Sequence, residues 1–239
     1  MLFRSLALPF VHRPRYAATD FLAADSNAEA LAWLASPDWP QRRLALHGPA
    51  GSGKTHLLHL WAARTGARLL SGPSLRFRPP DRPLAIDDAD AAPEHALLHV
   101  LNAANEAQVA VLLSGRTPPA RWPAALPDLA SRLRAMPAAG LGVAEESLLR
   151  ALLARLLAAR QIAVPEPVQD WLRLRLPRTA GAMREAAARL DRLALMDGGR
   201  ATRVTAARVL DEMGEMPEDA ADDDVTQSSP PGGRAALLV

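Results

Sequence analysis

The chain has 239 residues, 49% of them hydrophobic, so it can bury a core and is too apolar to be disordered throughout. The 28 basic and 26 acidic residues nearly balance, so charge gives no argument for nucleic-acid binding, and the absence of cysteine excludes disulfides and thiolate metal sites. It shows no stretch of about 18 apolar residues and no signal-peptide pattern, so we expect a cytoplasmic bacterial protein without a membrane span.

Short apolar runs alternate with helical patterns over the first 143 residues. A helix is predicted to start at Asp25 or Ser26, either of which can cap it, and to stop at Pro37. The later elements are predicted strands at 44–47, 68–70, 84–86 and 109–113, and predicted helices after Lys54 and at 94–106. This alternation is typical of a parallel sheet covered by helices, and it predicts an α/β fold class.

The sequence changes character near residue 143. From about 145 to 213 it shows only helical periodicity, interrupted at Pro165, Pro177 and Gly198-Gly199, which predicts a small all-α domain. From Pro217 onward the chain is acidic and then rich in Ser, Pro and Gly, which is typical of disorder. The predicted organisation is an extended segment at 1–14, an α/β domain at 15–143, a helical domain at 144–214 and a disordered tail at 215–239.

One glycine-rich motif predicts phosphate binding. Between a predicted strand and a predicted helix, the chain matches G-x-x-x-x-G-K-[ST] with the residues Gly48, Pro49, Ala50, Gly51, Ser52, Gly53, Lys54 and Thr55. In this pattern backbone N–H groups surround the phosphates, the lysine contacts the β- and γ-phosphates, and the hydroxyl binds Mg²⁺. Lys54 is the only lysine of the chain. A chance glycine-rich turn is the alternative, but the flanking strand and helix favour a site for ADP or ATP with Mg²⁺.

Polar residues follow two of the later predicted strands. Asp87 and Asp88 come after the strand at 84–86, as expected of a Walker B element, in which Asp87 would hold Mg²⁺ through water and Asp88 would polarise the attacking water. Aspartate is one methylene shorter than the glutamate common at the second position, so we expect a weak intrinsic ATPase. Ser114 follows the strand at 109–113 and is a candidate γ-phosphate sensor. Solvated residues of ordinary turns are the alternative interpretation.

Several segments together resemble the DnaA family of bacterial replication initiators. In the family's order, they are the segments at 16–21, 26–31, 53–57, 86–88, 114–119, 126–133 and 183–193. The resemblance extends over about residues 14–213. It implies the AAA+ fold, in which a P-loop domain with a parallel sheet is followed by a small all-α lid domain.

The resemblance also implies roles for two arginines. Arg132, in the segment at 126–133, matches the arginine finger, which acts in trans on the nucleotide of a neighbouring subunit. Arg184, on a helix before the segment at 190–193, matches sensor 2, which reaches from the lid to the chain's own nucleotide. A surface salt bridge is the alternative for Arg132. The resemblance leaves open a nucleotide-dependent homo-oligomer.

In two further features the sequence resembles the short Hda-type members of this family, which are regulatory inactivators of DnaA. The sequence after the predicted lid is an acidic tail instead of the helix-turn-helix with which DnaA reads DNA, so no sequence-specific DNA binding is expected. Near the N-terminus, Leu6, Leu8, Pro9 and Phe10 resemble the peptide that docks Hda on the sliding clamp, although Ser5 stands where glutamine is expected. Packing of this peptide on the domain's own sheet is the alternative.

The function implied by this resemblance is negative regulation of chromosomal replication initiation. Docked on the clamp, the protein would use Arg132 to promote hydrolysis of DnaA-bound ATP, so its expected partners are DnaA and the sliding clamp of the DNA polymerase. One alternative is a helicase loader or initiation accessory factor that binds single-stranded DNA. Another is a stand-alone ATPase.

Overall fold

Five parallel strands form a sheet in the first 143 residues. The computed structural model describes residue 16 and residues 21–36, 38–197 and 201–214. The strands are β1 (Arg43–His47), β2 (Arg68–Ser71), β3 (Leu84–Asp87), β4 (Val111–Gly115) and β5 (Ala138–Gly140). They pair in the order β2-β3-β4-β1-β5, and each of these pairings is parallel. This topology confirms the predicted α/β class with a parallel sheet.

Helices cover both faces of the sheet. They are α1 (Ala28–Ala35), α2 (Lys54–Thr65), α3 (Glu94–Glu106) and α4 (Pro127–Arg134). The alternation along β1 divides the core into two layers, because successive side chains of a strand point to opposite faces. Leu44 and Leu46 pack with residues of α1 and α2, whereas Ala45 packs with residues of α3 and α4. Burial on both faces explains why the strands are continuous apolar runs in the sequence.

The fourth strand lies two residues later than predicted. The apolar run predicts 109–113, whereas β4 begins at Val111. Gln108 adopts a left-handed backbone conformation (φ 54°), and the N–H of Val109 still donates to a carbonyl of α3, so these residues close the turn after that helix. As a consequence Ser114 lies inside β4 instead of following it.

The helices predicted in the first 143 residues agree with the structure more closely than the predicted fourth strand does. The helix predicted at 94–106 is confirmed as α3. The first helix also ends before Pro37, as predicted, but neither of its two predicted capping residues caps it. Asp25–Asn27 form a short 3-10 turn, so α1 begins only at Ala28 and has no side-chain cap.

In the described part of the chain after the sheet, four further helices form a unit that we call the lid. They are α5 (Glu146–Ala159), α6 (Glu166–Arg173), α7 (Ala180–Met196) and α8 (Arg203–Gly214). The lid has its own apolar core, in which Leu153 and Leu190 are buried. Thr179 caps α7, because its hydroxyl accepts the N–H of Ala182 at 3.1 Å. Arg184 and the segment at 190–193 both lie on α7.

Some predictions concern parts of the chain that the structure does not describe. The clamp-docking peptide with Leu6, Leu8, Pro9 and Phe10 lies outside the described residues, and so does the tail at 215–239. Within the described residues, no helix combines the length and the apolar character needed to cross a membrane.

Candidate nucleotide-binding site

The glycine-rich loop connects the end of β1 to the start of α2. Gly51 (φ 72°) and Gly53 (φ 103°) take left-handed backbone conformations, which glycine adopts without the steric cost of a Cβ. Gly53 directly precedes α2, so the helix begins at Lys54. The first turn of a helix has N–H groups without intrahelical partners and a partial positive charge, and both favour phosphate. The loop therefore has the geometry expected of a phosphate site.

Lys54 is held against the carbonyls of this loop. Its Nζ donates to the carbonyl oxygens of Gly48 and Pro49, each at 2.9 Å, and the residue is 7% exposed. Burial lowers the pKa of Lys54, while the carboxylates of Asp87 and Asp88 oppose this shift. A phosphate in the loop would offer the ammonium a charged acceptor in place of neutral carbonyls, and charge-assisted hydrogen bonds are roughly twice as strong as neutral ones.

Asp87 connects the phosphate loop to the neighbouring strands. Its Oδ2 accepts a hydrogen bond from Thr55 Oγ1 at 2.7 Å, and its Oδ1 accepts one from the Ser114 hydroxyl. Ser114 Oγ in turn accepts the N–H of Asp88 at 3.0 Å. The structure thus brings Thr55, the Asp87-Asp88 pair and Ser114, which come from three separate parts of the sequence, into one network beside Lys54.

The oxygens of this network suit a hard cation. Mg²⁺ prefers oxygen ligands and keeps several waters, so the Thr55 hydroxyl and the Asp87 carboxylate are appropriate partners for it. Among the described residues, no group of three or more His, Cys, Asp or Glu side chains could hold a metal ion.

A cleft lies between the phosphate loop and the lid. The loop contributes residues 51–53 to its wall, and the lid contributes Ala180 and Arg184. The two parts are close, since a Cβ placed on Gly51 would lie 2.9 Å from the Cβ of Thr179. Helix α5 of the lid also contributes Leu148, Leu149 and Leu152, and the remaining residues of the wall are Phe21, Leu22, Ser26, Asn27, His56 and Ala144. The wall is largely apolar, and Arg184 and the phosphate loop supply its polar parts.

Comparison with solved structures identifies the fold. Domain III of the replication initiation protein DnaA from Thermotoga maritima matches with a TM-score of 0.68 and 18% identity, over 84% of this chain and 97% of that chain. A replication initiator DnaA bound to AMPPCP and single-stranded DNA matches with a TM-score of 0.58 and 16% identity, over 78% of this chain and 66% of that chain. This chain has the AAA+ fold.

The same AAA+ fold occurs in RuvB, the Holliday junction branch migration motor of Thermotoga maritima. RuvB matches with a TM-score of 0.55 and 18% identity, over 71% of this chain and 61% of that chain. No protein-family model and no curated protein sequence matches the chain. At this level of identity the likenesses establish the AAA+ fold alone.

Ring contacts beside the phosphate loop were not predicted from the sequence, although Tyr16 begins the segment at 16–21 that contributes to the resemblance. The ring of Tyr16 stacks on His59 of α2 at 3.8 Å and meets the edge of His56 at 5.4 Å. Burial raises the pKa of Tyr16; the charge of Arg184 opposes the shift, and that of Asp87 adds to it. Tyr16 therefore lies close to both sides of the cleft. The sequence feature that could have indicated these contacts is the spacing of His56 and His59, which are three residues apart and so lie on one side of α2.

Arg132 lies away from the phosphate loop. It is in the last turn of α4, where its Nε and Nη2 both donate to Asp128 Oδ2 at 3.3 Å, and its side chain is 31% exposed. Burial lowers the pKa of Arg43, and the nearby charge of Arg132 lowers it further. Arg43 begins β1, whereas the phosphate loop follows the other end of that strand. The chain passes from α4 into β5, which begins beside Ala45 of β1, so Arg132 lies towards the amino end of β1 and away from the network around Lys54.

Proposed function

We propose that this protein is a nucleotide-binding regulator of chromosomal replication initiation of the Hda type, which promotes hydrolysis of ATP bound to DnaA. The observation that carries the proposal is the position of Arg132. It is a partly exposed guanidinium in the last turn of α4. The chain continues from there into β5, which begins beside Ala45 of β1, so the guanidinium lies towards the amino end of β1 and away from the chain's own phosphate loop. An arginine placed there is available to a neighbouring molecule.

The chain's own site supports binding of ADP or ATP with Mg²⁺. The phosphate loop and Lys54 would hold the phosphates, Thr55 and Asp87 would hold Mg²⁺, and Ser114 would contact the γ-phosphate. When bound, Mg²⁺ would neutralise part of the phosphate charge. Arg184 lines the cleft from the lid, so a bound nucleotide would fix the lid against the sheet. Because Asp88 is shorter than glutamate, hydrolysis in this site is expected to be slow.

The action on DnaA would belong to Arg132. A guanidinium on the γ-phosphate stabilises the charge that develops in the transition state, and such fingers raise hydrolysis rates by roughly 10³–10⁵-fold. Domain III of DnaA has the same fold, and a DnaA structure holds AMPPCP, so DnaA is a partner with a suitable nucleotide. Docking on the sliding clamp would rest on Leu6, Leu8, Pro9 and Phe10, whose apolar side chains could enter a surface pocket.

The test is hydrolysis of DnaA-bound ATP in the presence of clamp loaded on DNA, with and without this protein. Wild-type protein should accelerate hydrolysis, and Arg132→Ala should abolish the acceleration. The matched control is Arg134→Ala, which removes an exposed arginine two residues away on the same helix. Acceleration by wild type and by Arg134→Ala, but not by Arg132→Ala, would support the proposal. Full acceleration by Arg132→Ala would overturn it.

A second candidate function is that of a helicase loader or initiation accessory factor. It is favoured by one observation, namely that a DnaA of the same fold is bound to single-stranded DNA in a solved structure. Fluorescence anisotropy with a labelled single strand and no clamp distinguishes the two functions. Tight binding without clamp, combined with no acceleration of DnaA-bound ATP hydrolysis, would favour the loader.

A further inference from the structure

The start of helix α4 is held by a carboxylate from another helix. Leu126 occupies the position before α4 and has no capping side chain of its own, and Pro127 at the first helical position has no N–H to donate. The N–H of Ala125 donates to Glu94 Oε1 at 3.0 Å and to Oε2 at 2.9 Å, and that of Leu126 donates to Oε2 at 3.0 Å. Glu94 therefore satisfies both N–H groups that precede α4.

Glu94 lies at the end of a segment that is hydrogen-bonded to the sheet. It is the first residue of α3, and the segment before it leaves β3 at Asp87. In this segment the Asp88 N–H donates to Ser114 Oγ at 3.0 Å, and Asp90 Oδ2 accepts the N–H of Arg116 at 2.7 Å. The segment at 88–94 thus binds both ends of the connection between β4 and α4.

The helix that Glu94 holds is short and carries Arg132. Leu129 (1% exposed) and Leu133 (2% exposed) anchor one face of α4 in the core shared with α3. Eight residues make a helix of about 12 Å, less than three turns. A shift or rotation at its first residue therefore reaches Arg132 in its last turn.

We propose that Glu94 is a positioning residue for Arg132. It fixes the N-terminus of α4 and so the direction in which the Arg132 guanidinium points from the protein surface. This rests on the proposed function. The two backbone N–H groups lower the pKa of Glu94, Ala125 having the larger effect, so the carboxylate is ionised at neutral pH. A misplacement of about 1 Å can reduce a catalytic rate by about 100-fold, so a small shift of the start of α4 is sufficient to weaken the action of Arg132 even though Leu129 and Leu133 stay in the core.

The experiment compares Glu94→Ala and Glu94→Gln with Glu106→Ala. Glu106 is an exposed glutamate at the other end of α3, so its removal is a matched control for loss of charge from this helix. The first measurement is deuterium uptake by peptides that cover residues 117–134 in the isolated protein. The second is the maximal rate of DnaA-bound ATP hydrolysis, measured over a series of protein concentrations. The third is the affinity for ADP.

Glu94→Ala should increase uptake over 117–134 and lower the maximal stimulated rate by between about 10-fold and 100-fold. Its affinity for ADP should stay within about twofold of wild type, because the site around Lys54 is untouched. Glu94→Gln keeps one acceptor oxygen and should fall between Glu94→Ala and wild type. Glu106→Ala should match wild type in all three measurements. This graded loss would not follow from a general loss of stability, which would also weaken ADP binding.

Two results overturn the positioning role. One is wild-type stimulation by Glu94→Ala despite increased uptake, since Arg132 would then act without a fixed α4. The other is unchanged uptake over 117–134, since Glu94 would then not hold the helix at all. If wild-type protein fails to stimulate DnaA, the proposed function fails instead, and the uptake measurement still decides whether Glu94 holds α4.

Discussion

The two ends of strand β1 hold their functional side chains in different ways. At the carboxyl end, Lys54 donates to two loop carbonyls, and Asp87 accepts from both Thr55 and Ser114. At the amino end, Arg132 rests on Asp128, one turn away on its own helix, and stays partly exposed. In the first set Lys54 and Ser114 are buried, Thr55 and Asp87 are half-buried, and all four are hydrogen-bonded, whereas the second is a single, partly exposed charge.

This contrast suits a division between a site that closes on its own ligand and a residue that acts on a partner. Buried polar side chains of a ligand site need hydrogen-bond partners within the protein when no ligand is bound, because a buried polar group without a partner costs free energy of folding. An exposed arginine has water as a partner and needs only a local orientation. The predictions below alter one end of β1 at a time.

The largest effect is expected from Lys54→Ala at the buried end. Removing one partner of a buried charged contact costs about 2–5 kcal/mol. The affinity for ADP and ATP should therefore fall by between about 30-fold and several thousand-fold. Isothermal titration calorimetry measures this loss, and the rise in melting temperature on adding nucleotide should vanish with it.

The control for Lys54→Ala is Arg76→Ala, which removes a cation from an exposed loop. It should bind nucleotide like wild type. An affinity of Lys54→Ala within about threefold of wild type would contradict the assignment of the phosphate site.

A smaller loss of affinity is expected from Gly51→Ala. A Cβ in the left-handed region costs roughly 1–2 kcal/mol, and here it would also press against Thr179 of the lid. Gly66→Ala is a matched control, because Gly66 is also left-handed (φ 71°) but has no heavy atom within 4 Å of the added Cβ.

Gly51→Ala should lose at least as much stability as Gly66→Ala in chemical denaturation, and only Gly51→Ala should bind ADP about tenfold more weakly. Equal affinities of the two variants for ADP would show that contact between loop and lid is irrelevant to binding.

The buried end of β1 was the more predictable from the sequence. The motif ending in Lys54 and Thr55 predicts loop and helix together, because glycine positions and helix start lie within eight consecutive residues. The strand ending in Asp87 and the helix α3 also follow from local patterns. Sequence reasoning placed β4 two residues early, since it did not detect the left-handed turn at Gln108.

The contacts between distant residues were not predictable in this way. Two such contacts join residues far apart in the chain. The ring of Tyr16 stacks on His59, and the backbone N–H of Leu126 donates a hydrogen bond to Glu94. Neither contact can be predicted from helical or strand periodicity. They depend on how the elements pack, and packing is not encoded in any one segment. The side chains that hold α4 were accordingly missed, although Arg132 itself was identified by resemblance.

The smallest effect is expected from Asp128→Ala at the exposed end. An acid four residues before an arginine on a helix stabilises it by about 0.3–0.5 kcal/mol. Both Asp128→Ala and the control Glu185→Ala, which removes a comparable pair with Arg189 on α7, should lower the free energy of unfolding by this amount. Only Asp128→Ala should change the stimulation of DnaA-bound ATP hydrolysis, and by less than about threefold. A loss as large as that of Arg132→Ala would mean that Asp128 orients the guanidinium in the complex as well, and the two ends of β1 would then resemble each other in needing fixed partners.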